Sequence, residues 1–360
     1  GYIKTKFLKN QKKEKTSRDF TEPVYSDMTE DHSINMAWHN VTNAAANNAV
    51  QQVLASTSGL TTIAPTWFSL ADTEGNISSI ADADYVNYAH TAGLEVWAVF
   101  RDFHGGTNSY DETYETLRYT SKRAKLEDQV VAAAVAAGVD GINLDFELIS
   151  SKCGVHYVQL VRELSVKCHQ NNLVFSVDNY VPQSYNSHYD LKEQGIVADY
   201  VVIMAYDEHT EGSYEAGSVA SISYLQDGIE KTLKKVSADK VIAGIPFFTR
   251  LWFETAKSPE QLSEEAGTEA ASYPNKVSSK ALGMEEAAQS VVNAGATAQW
   301  DEKTQQNYAK WSADGGTYRI WLEDAQSLEA KLKVIQGSKL AGVAEWSLGR
   351  EESSVWKLIS

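Results

Sequence analysis

From about His32 onward, a short β-rich run followed by an Ala-rich amphipathic stretch recurs along the chain, and this rhythm constrains the fold more than any other feature. The strand candidates are SINMAW (33–38), TTIAP (61–65), EVWAVF (95–100), GINLDF (141–146), LVFSVD (173–178), YVVIMAY (200–206), KVIAGIP (240–246) and GVAEWS (342–347). Between them lie helix candidates over Thr42–Ser56, Asp82–Ala92, Lys122–Ala137, Val155–Asn171 and Ser221–Val236, with Gly93 and Gly138 where C-capping glycines belong. Apolar runs of this kind suit strands buried on both faces of a parallel sheet. Eight such β-then-α units predict an α/β fold, a closed (β/α)8 TIM barrel. An open doubly wound sheet is the rival, but no Gly-rich phosphate loop follows the first strand.

The rhythm breaks between about 253 and 324, a span too long for a simple loop, which predicts an α+β insertion subdomain after strand 7. Its Trp300, Tyr308, Trp311, Tyr318 and Trp321 either wall a cleft or fill the subdomain's own core. Ahead of the barrel (32–360), residues 1–24 read as a separate N-terminal segment: an alternating run, GYIKTKFL, and then the lysine-rich NQKKEK as linker. The chain opens with Gly1 and so reads as a piece of something longer, with no signal peptide in view.

A formal charge of −16 argues against a nucleic-acid partner, which needs clustered Lys and Arg. No apolar run reaches the ~18 residues of a membrane span. Cys153 and Cys168 fall in one predicted helix, roughly 20 Å apart at ~1.5 Å per residue, and read as free thiols.

Chemistry concentrates in Val139-Asp140-Gly141-Ile142-Asn143-Leu144-Asp145-Phe146-Glu147. Strand alternation puts Asn143, Asp145 and Glu147 on one face and Ile142, Leu144 and Phe146 on the other. In a barrel the polar row points inward, where it is costly unless used or satisfied. Glu147 falls at the C-terminal end, where barrel enzymes do their chemistry. The adjacent Asp145 should help hold Glu147 protonated for donation to a leaving oxygen. A hydrogen-bonded structural row is one alternative and a magnesium or calcium site another. No third carboxylate or His stands out on the adjacent strand ends, so neither metal nor cofactor is expected.

The stretch DGINLDFE resembles the D-G-x-D-x-D-x-E signature of glycoside hydrolase family 18, fitting at Asp140, Gly141, Asp145 and Glu147 and departing at Asn143. MAYD (204–207), GIPFFTRLW (244–252) and GVAEWSLG (342–349) resemble the family's motifs on strands 6, 7 and 8, in order. The resemblance implies a retaining glycosidase for β-linked N-acetylglucosamine polymers in which the substrate's 2-acetamido oxygen is the nucleophile. Glu147 would be acid and then base, Asp145 would orient the acetamide N–H, Tyr206 would donate to the acetamide oxygen, and Trp346 would floor the sugar. Asn143 keeps a hydrogen-bond partner but removes one charge, which should ease ionisation of Asp145.

APTWFSL (64–70), YDEH (206–209), WDEKTQQNY (300–308), YRIWLEDAQSLEAKL (318–332) and WSLGREESSVW (346–356) resemble one branch, the spore cortex-lytic and related cell-wall N-acetylglucosaminidases. That implies peptidoglycan as the glycan partner, an extracellular, wall- or spore-associated site of action, and Asp207, Arg250, Trp252 and Trp321 as further substrate contacts beside Asn143 and Trp346. GYIKTKFL resembles the closing strand of Src-homology-3-like wall-binding domains. The competing functions are a chitinase and a non-catalytic glycan-binding wall protein; no oligomeric state follows from the sequence.

Overall fold

A computed structural model describes residues 4, 6 and 27–359. The wall-binding reading of residues 1–24 therefore lies outside the described residues, apart from Lys4 and Lys6. The first strands in chain order are β1 (Ile34–His39), β2 (Thr62–Pro65), β3 (Phe68–Leu70), β4 (Ile77–Ser79) and β5 (Glu95–Arg101). They are followed by β6 (Gly141–Asp145), β7 (Val174–Tyr180), β8 (Tyr200–Met204) and β9 (Val241–Pro246). The antiparallel strands β10 (Phe248–Ala256), β11 (Asn275–Gly283), β12 (Gln299–Asp301), β13 (Gln306–Ala313) and β14 (Gly316–Leu322) precede β15 (Gly342–Trp346).

Eight parallel strands run in the order β2-β1-β15-β9-β8-β7-β6-β5, and a parallel β2–β5 pairing closes the ring. The expected (β/α)8 barrel is thus the observed fold. Closure leaves the eight-strand ring without an edge and fixes an inside and an outside for each of its strands, with β3 and β4 added beside β5. Two apolar clusters record that alternation. Met36, Trp38, Trp97, Val99, Val202 and Ile242 fill the interior, with Trp97 stacked on Tyr200 at 5.4 Å. Ala37, Val96, Ala98, Ile142, Leu144 and Val177 pack outward against the helices.

The helices begin and end where local chemistry dictates. Asp82 caps Ala83–Thr91, its carboxylate accepting the Asp84 and Tyr85 N–H groups, and Ser221 caps Ile222–Leu233 through the Tyr224 N–H. The helix Thr120–Ala137 stops at Gly138, whose φ of 78° is open to glycine at no steric cost, and the chain turns directly into β6. Asp140 fixes that entry by accepting the Val96 N–H at 2.8 Å. Cys153 and Cys168 sit in or beside the helix Gly154–Gln170, and both are buried free thiols. Helices Tyr110–Leu117, Leu191–Val197 and Ala325–Gly337 complete the shell beyond those expected.

The interruption after strand 7 is a five-stranded antiparallel sheet in the order β11-β10-β14-β13-β12, with helix Met284–Asn293 packed on it. It starts at Phe248, earlier than the sequence pattern suggested, because β10 leaves β9 almost without a loop. Leu282, Val291, Ile320 and Leu322 make its small core. Its aromatic rings pair with one another: Tyr308 with Trp321 at 4.8 Å, Phe253 with Tyr318 at 4.7 Å, and Trp311 with Tyr318 at 5.4 Å. No helix among the described residues is long and apolar enough to cross a membrane.

Leu144 is fully buried between barrel and helices while its neighbours in sequence face the interior. Leu144→Ala should therefore lower unfolding stability by ~2–5 kcal/mol in denaturant titrations, the usual range for a cavity of this kind.

Candidate active site

At the C-terminal mouth of the barrel lies an open cavity of about 150 Å³. Asp145, Glu147, Tyr206, Asp207 and Trp346, five of the residues singled out in the sequence, line it together. Three rings shape the apolar part: Trp38 lies edge-on to Trp346 at 6.0 Å and to Tyr206 at 6.4 Å. Tyr206 continues the inward row of β8 and is only 8% exposed. Gly244 on β9 leaves room for it, since a Cβ there would stand 3.2 Å from the Tyr206 ring and 3.0 Å from the Ile203 carbonyl oxygen.

Glu147 lies two residues beyond the end of β6 and is held through its backbone. Its N–H donates to Asp102 Oδ1 at 2.9 Å, and the Leu148 N–H donates to Asp102 Oδ2 at 3.0 Å. Thr113 Oγ1 also donates to Asp102 Oδ2, at 3.0 Å. Burial pushes the Asp102 carboxyl up to about 7, against the pull of these three donors. The Glu147 side chain accepts from the Tyr180 hydroxyl at Oε2. Burial raises the Glu147 carboxyl above its ordinary range, the Tyr180 bond opposes this, and the charge of Asp207 adds to the rise. Asp145 is raised further, first by burial and then by the charges of Glu147, Asp178 and Asp102, with Arg101 opposing. Asp145, Glu147, Asp178 and Asp207 line this one pocket, and crowding four carboxyls together disfavours ionising all of them at once.

Asn143 lies beneath the cavity and not on its wall. It is fully buried; its Oδ1 accepts from Trp38 Nε1 at 3.0 Å, and its Nδ2 donates to Ser176 Oγ at 2.9 Å and Asp178 Oδ1 at 2.7 Å. It positions its neighbours and is closed to the direct substrate contact expected of it. Asp207 projects at the rim from a left-handed backbone, φ 59°. Burial raises its carboxyl, and the Arg250 guanidinium opposes that rise. Arg250 itself stands outside the cavity lining and donates to Ser279 Oγ at 2.9 Å.

One expected contact is corrected. Trp252 is 0% exposed and its indole donates to the Gly217 carbonyl at 2.8 Å, so it locks the insertion to the barrel and is sealed from any sugar. Trp321, half-buried, lies tilted against Tyr308 within the insertion sheet, and none of Trp300, Tyr308, Trp311, Tyr318 and Trp321 lines the cavity. The expectation of no third carboxylate is also overturned: Asp178 on β7 lines the same wall as Asp145. It and Tyr180 lie in the alternating row Ser176, Asp178, Tyr180, the signal that had identified the β6 row.

An acid-lined pocket at the C-terminal face of a closed barrel, with a protonatable glutamate at its mouth, defines the class: a barrel enzyme built for acid–base chemistry. The profile of glycosyl hydrolases family 18 matches residues 37–351, and the chain belongs to that family. It is 26% identical over 295 residues to the uncharacterized glycosylase YvbX of Bacillus subtilis, covering 79% of this chain and 80% of YvbX. It is 27% identical over 252 residues to the cortical fragment-lytic enzyme of the same organism, covering 67% of this chain and 53% of that protein. The chain therefore spans only about half the length of that relative. The fold matches the crystal structure of the Bacillus cereus spore cortex-lytic enzyme SleL with a TM-score of 0.76 at 20% identity, over 92% of this chain and 74% of that one. The protein is a glycoside hydrolase related to cortex-lytic enzymes.

Asp102 touches no cavity surface, yet it sets the loop that carries Glu147. Asp102→Asn replaces an acceptor with an amide N–H2 facing backbone N–H groups, and kcat should fall at least about tenfold with a smaller change in KM, as expected when a catalytic group is misplaced. Steady-state kinetics on a chromogenic N-acetylglucosaminide oligomer checks this.

Proposed function

We propose that the protein is a retaining endo-β-N-acetylglucosaminidase that cuts peptidoglycan by substrate-assisted catalysis, at the cell wall or spore. The observation that carries the reading is the convergence of Glu147, Asp145, Tyr206 and Trp346 on one cavity. Glu147 is the general acid. Tyr180 occupies its Oε2, which leaves Oε1 to hold the proton and deliver it to the glycosidic oxygen. Asp145, deeper in the same row, accepts the acetamide N–H and offsets the positive charge that grows on the sugar and its acetamido group. The buried Tyr206 hydroxyl donates to the acetamide oxygen and holds it below the anomeric carbon. Preorganised dipoles of this kind act strongly where water is excluded. The Trp346 ring provides the apolar floor. Glu147, now ionised, then takes a proton from the water that opens the oxazolinium ring.

The relation to a cortical fragment-lytic enzyme supports peptidoglycan over chitin, and so do the branch motifs around Tyr206–His209 and Trp346–Trp356. The test is a parallel digest of chitooligosaccharides, spore-cortex muropeptides and vegetative muropeptides, with products read by mass spectrometry. Muropeptides cut after N-acetylglucosamine with retained β configuration are expected. Faster cleavage of chitooligosaccharides would make it a chitinase, and binding with no turnover on any of them would make it a wall-docking protein.

Two further outcomes follow from the carboxyl environments. Glu147→Gln should reduce kcat by ~10²–10⁴-fold while glycan binding, followed by calorimetry, stays close to wild type. Because burial raises the Glu147 carboxyl, its acid form persists to higher pH than an ordinary glutamate allows. The basic limb of the kcat/KM profile should therefore lie above the normal glutamate range. Tyr180→Phe removes the bond that lowers Glu147 and should move that limb to still higher pH.

A further inference from the structure

The strand that flanks β6 on the side away from Tyr180 carries an inward row of its own. On β5, Trp97 and Val99 fill the barrel interior, while Val96, Ala98 and Phe100 pack against the helices. Alternation therefore turns the next residue, Arg101, inward at the C-terminal end of the strand. The register sets it opposite Asp145 on β6 and opposite Ser69 on β3. Its guanidinium carbon lies 5.6 Å from the centroid of the Phe103 ring, and Phe103 lines the cavity. A cation thus stands directly behind the cavity wall, in a chain whose formal charge is −16.

The fold leaves that cation without a partner. Its Nε is buried with no hydrogen bond, and among the described residues Arg101 makes no ion pair. Asp145 acts on it only through its charge, which opposes the lowering that burial imposes on the guanidinium. Asp145 Oδ1 is itself buried and unbonded, so the two side chains are neighbours without being a pair. Arg250, the other guanidinium close to the site, has a partner in Ser279 Oγ. A guanidinium offers five N–H donors in a fixed fork, and a partly buried one left unmet is costly unless a ligand anion meets it.

The cavity lining indicates where such an anion comes from. Trp38, Met204, Tyr206 and Trp346 enclose the cavity from β1, β8 and β15, where the proposed function seats the N-acetylglucosamine ring and its acetamide. Phe103 is the lining residue from the β5 side. A second sugar, joined through the oxygen that Glu147 protonates, leaves the enclosed part past Glu147 and meets that ring. In a strand cut after N-acetylglucosamine, the second sugar is N-acetylmuramic acid. Its lactyl ether stands on the ring carbon next to the one that bears the leaving oxygen, so the lactyl carboxylate is carried on the edge of the sugar nearest the acid.

We propose that Arg101 is a specificity-determining residue whose guanidinium pairs, beside the Phe103 ring, with the lactyl carboxylate of a muramic acid in the leaving position. This rests on the reading of the protein as a glucosaminidase of peptidoglycan. The planar fork matches a carboxylate with two parallel N–H···O bonds, whereas a lactyl group closed as an amide presents a single carbonyl oxygen and chitin carries no such group. The pairing adds no step to the reaction; it favours a charged leaving sugar over a neutral one.

The test compares kcat/KM on three oligomers of equal length. One has alternating N-acetylglucosamine and N-acetylmuramic acid with free lactyl carboxylates, the second is the same oligomer with each lactyl carboxyl converted to its methyl amide, and the third is a chitooligosaccharide. The quantity read is the ratio of the carboxylate to the amide oligomer, from which any effect of Arg101 on the ionisation of Asp145 cancels. The wild type should favour the carboxylate by roughly tenfold or more. Arg101→Gln should bring the ratio close to one, and Arg101→Lys, which keeps the charge and loses the fork, should fall between. A wild-type ratio near one overturns the proposal, as does a ratio unchanged by substitution; Arg101→Lys decides where Arg101→Gln does not fold. The same ratio, read as calorimetric affinity in the Glu147→Gln background with and without Arg101→Gln, decides it for a chain that binds without turnover. Cleavage of the chitooligosaccharide alone ends the peptidoglycan reading and this proposal together, while equal cleavage of the two muramic oligomers ends this proposal alone.

Discussion

Closure of the barrel between β2 and β5 is the constraint on which the site depends. Once the ring is closed, each strand has one set of side chains that meets helices and one set that meets other strands' side chains. On β6 the outward set, Ile142 and Leu144, is apolar and buried against the shell. The inward set, Asn143 and Asp145, continues to Glu147 above the strand. Removing the outward packing would release the strand, and the inward row would lose its aim. Stability and chemistry are therefore written into alternate residues of one short segment.

The polar row is tolerable inside the barrel because neighbouring strands answer it. Trp38 from β1 and Ser176 from β7 satisfy Asn143, while Asp102 beyond β5 takes the backbone donors of the loop carrying Glu147. Ser176 and Asp102 come from the strands that flank β6 and the residue just beyond one of them, while Trp38 reaches across the barrel interior from β1, which does not pair with β6. They also explain the acidity of the site. Burial raises every carboxyl in it, and Arg101 is the cation that acts against this at Asp145. Burial therefore favours the protonated form of each of these carboxyls.

Much of this was legible in the sequence for a simple reason: alternation with a period of two survives folding unchanged. The inward direction of Asn143, Asp145 and Glu147 follows from it, while the strands show as apolar runs and the Gly138 stop as C-cap chemistry. The same rule applied to Ser176-Val177-Asp178-Asn179-Tyr180 identifies Asp178 and Tyr180, and only the absence of a familiar motif there hid them. Other features were illegible on physical grounds. Periodicity says which face a ring occupies but not what covers that face. Trp252 could therefore not be distinguished from a cleft residue until the Gly217 carbonyl was seen over its indole. The rings of the insertion satisfy one another, which depends on the pairing register of β13 and β14. Asp102 acts through a loop whose path is not periodic.

The central claim is that the β6 row meets the substrate directly, Glu147 at the scissile oxygen and Asp145 at the acetamide nitrogen. A crystal structure of the Glu147→Gln variant with a bound N-acetylglucosamine oligomer measures this most directly. The account predicts a sugar over Trp346, its acetamide N–H within hydrogen-bond distance of Asp145 and its glycosidic oxygen beside the amide that replaces the Glu147 carboxyl. An oligomer seated away from Trp346, or with its acetamide turned from Asp145 toward solvent, would contradict it.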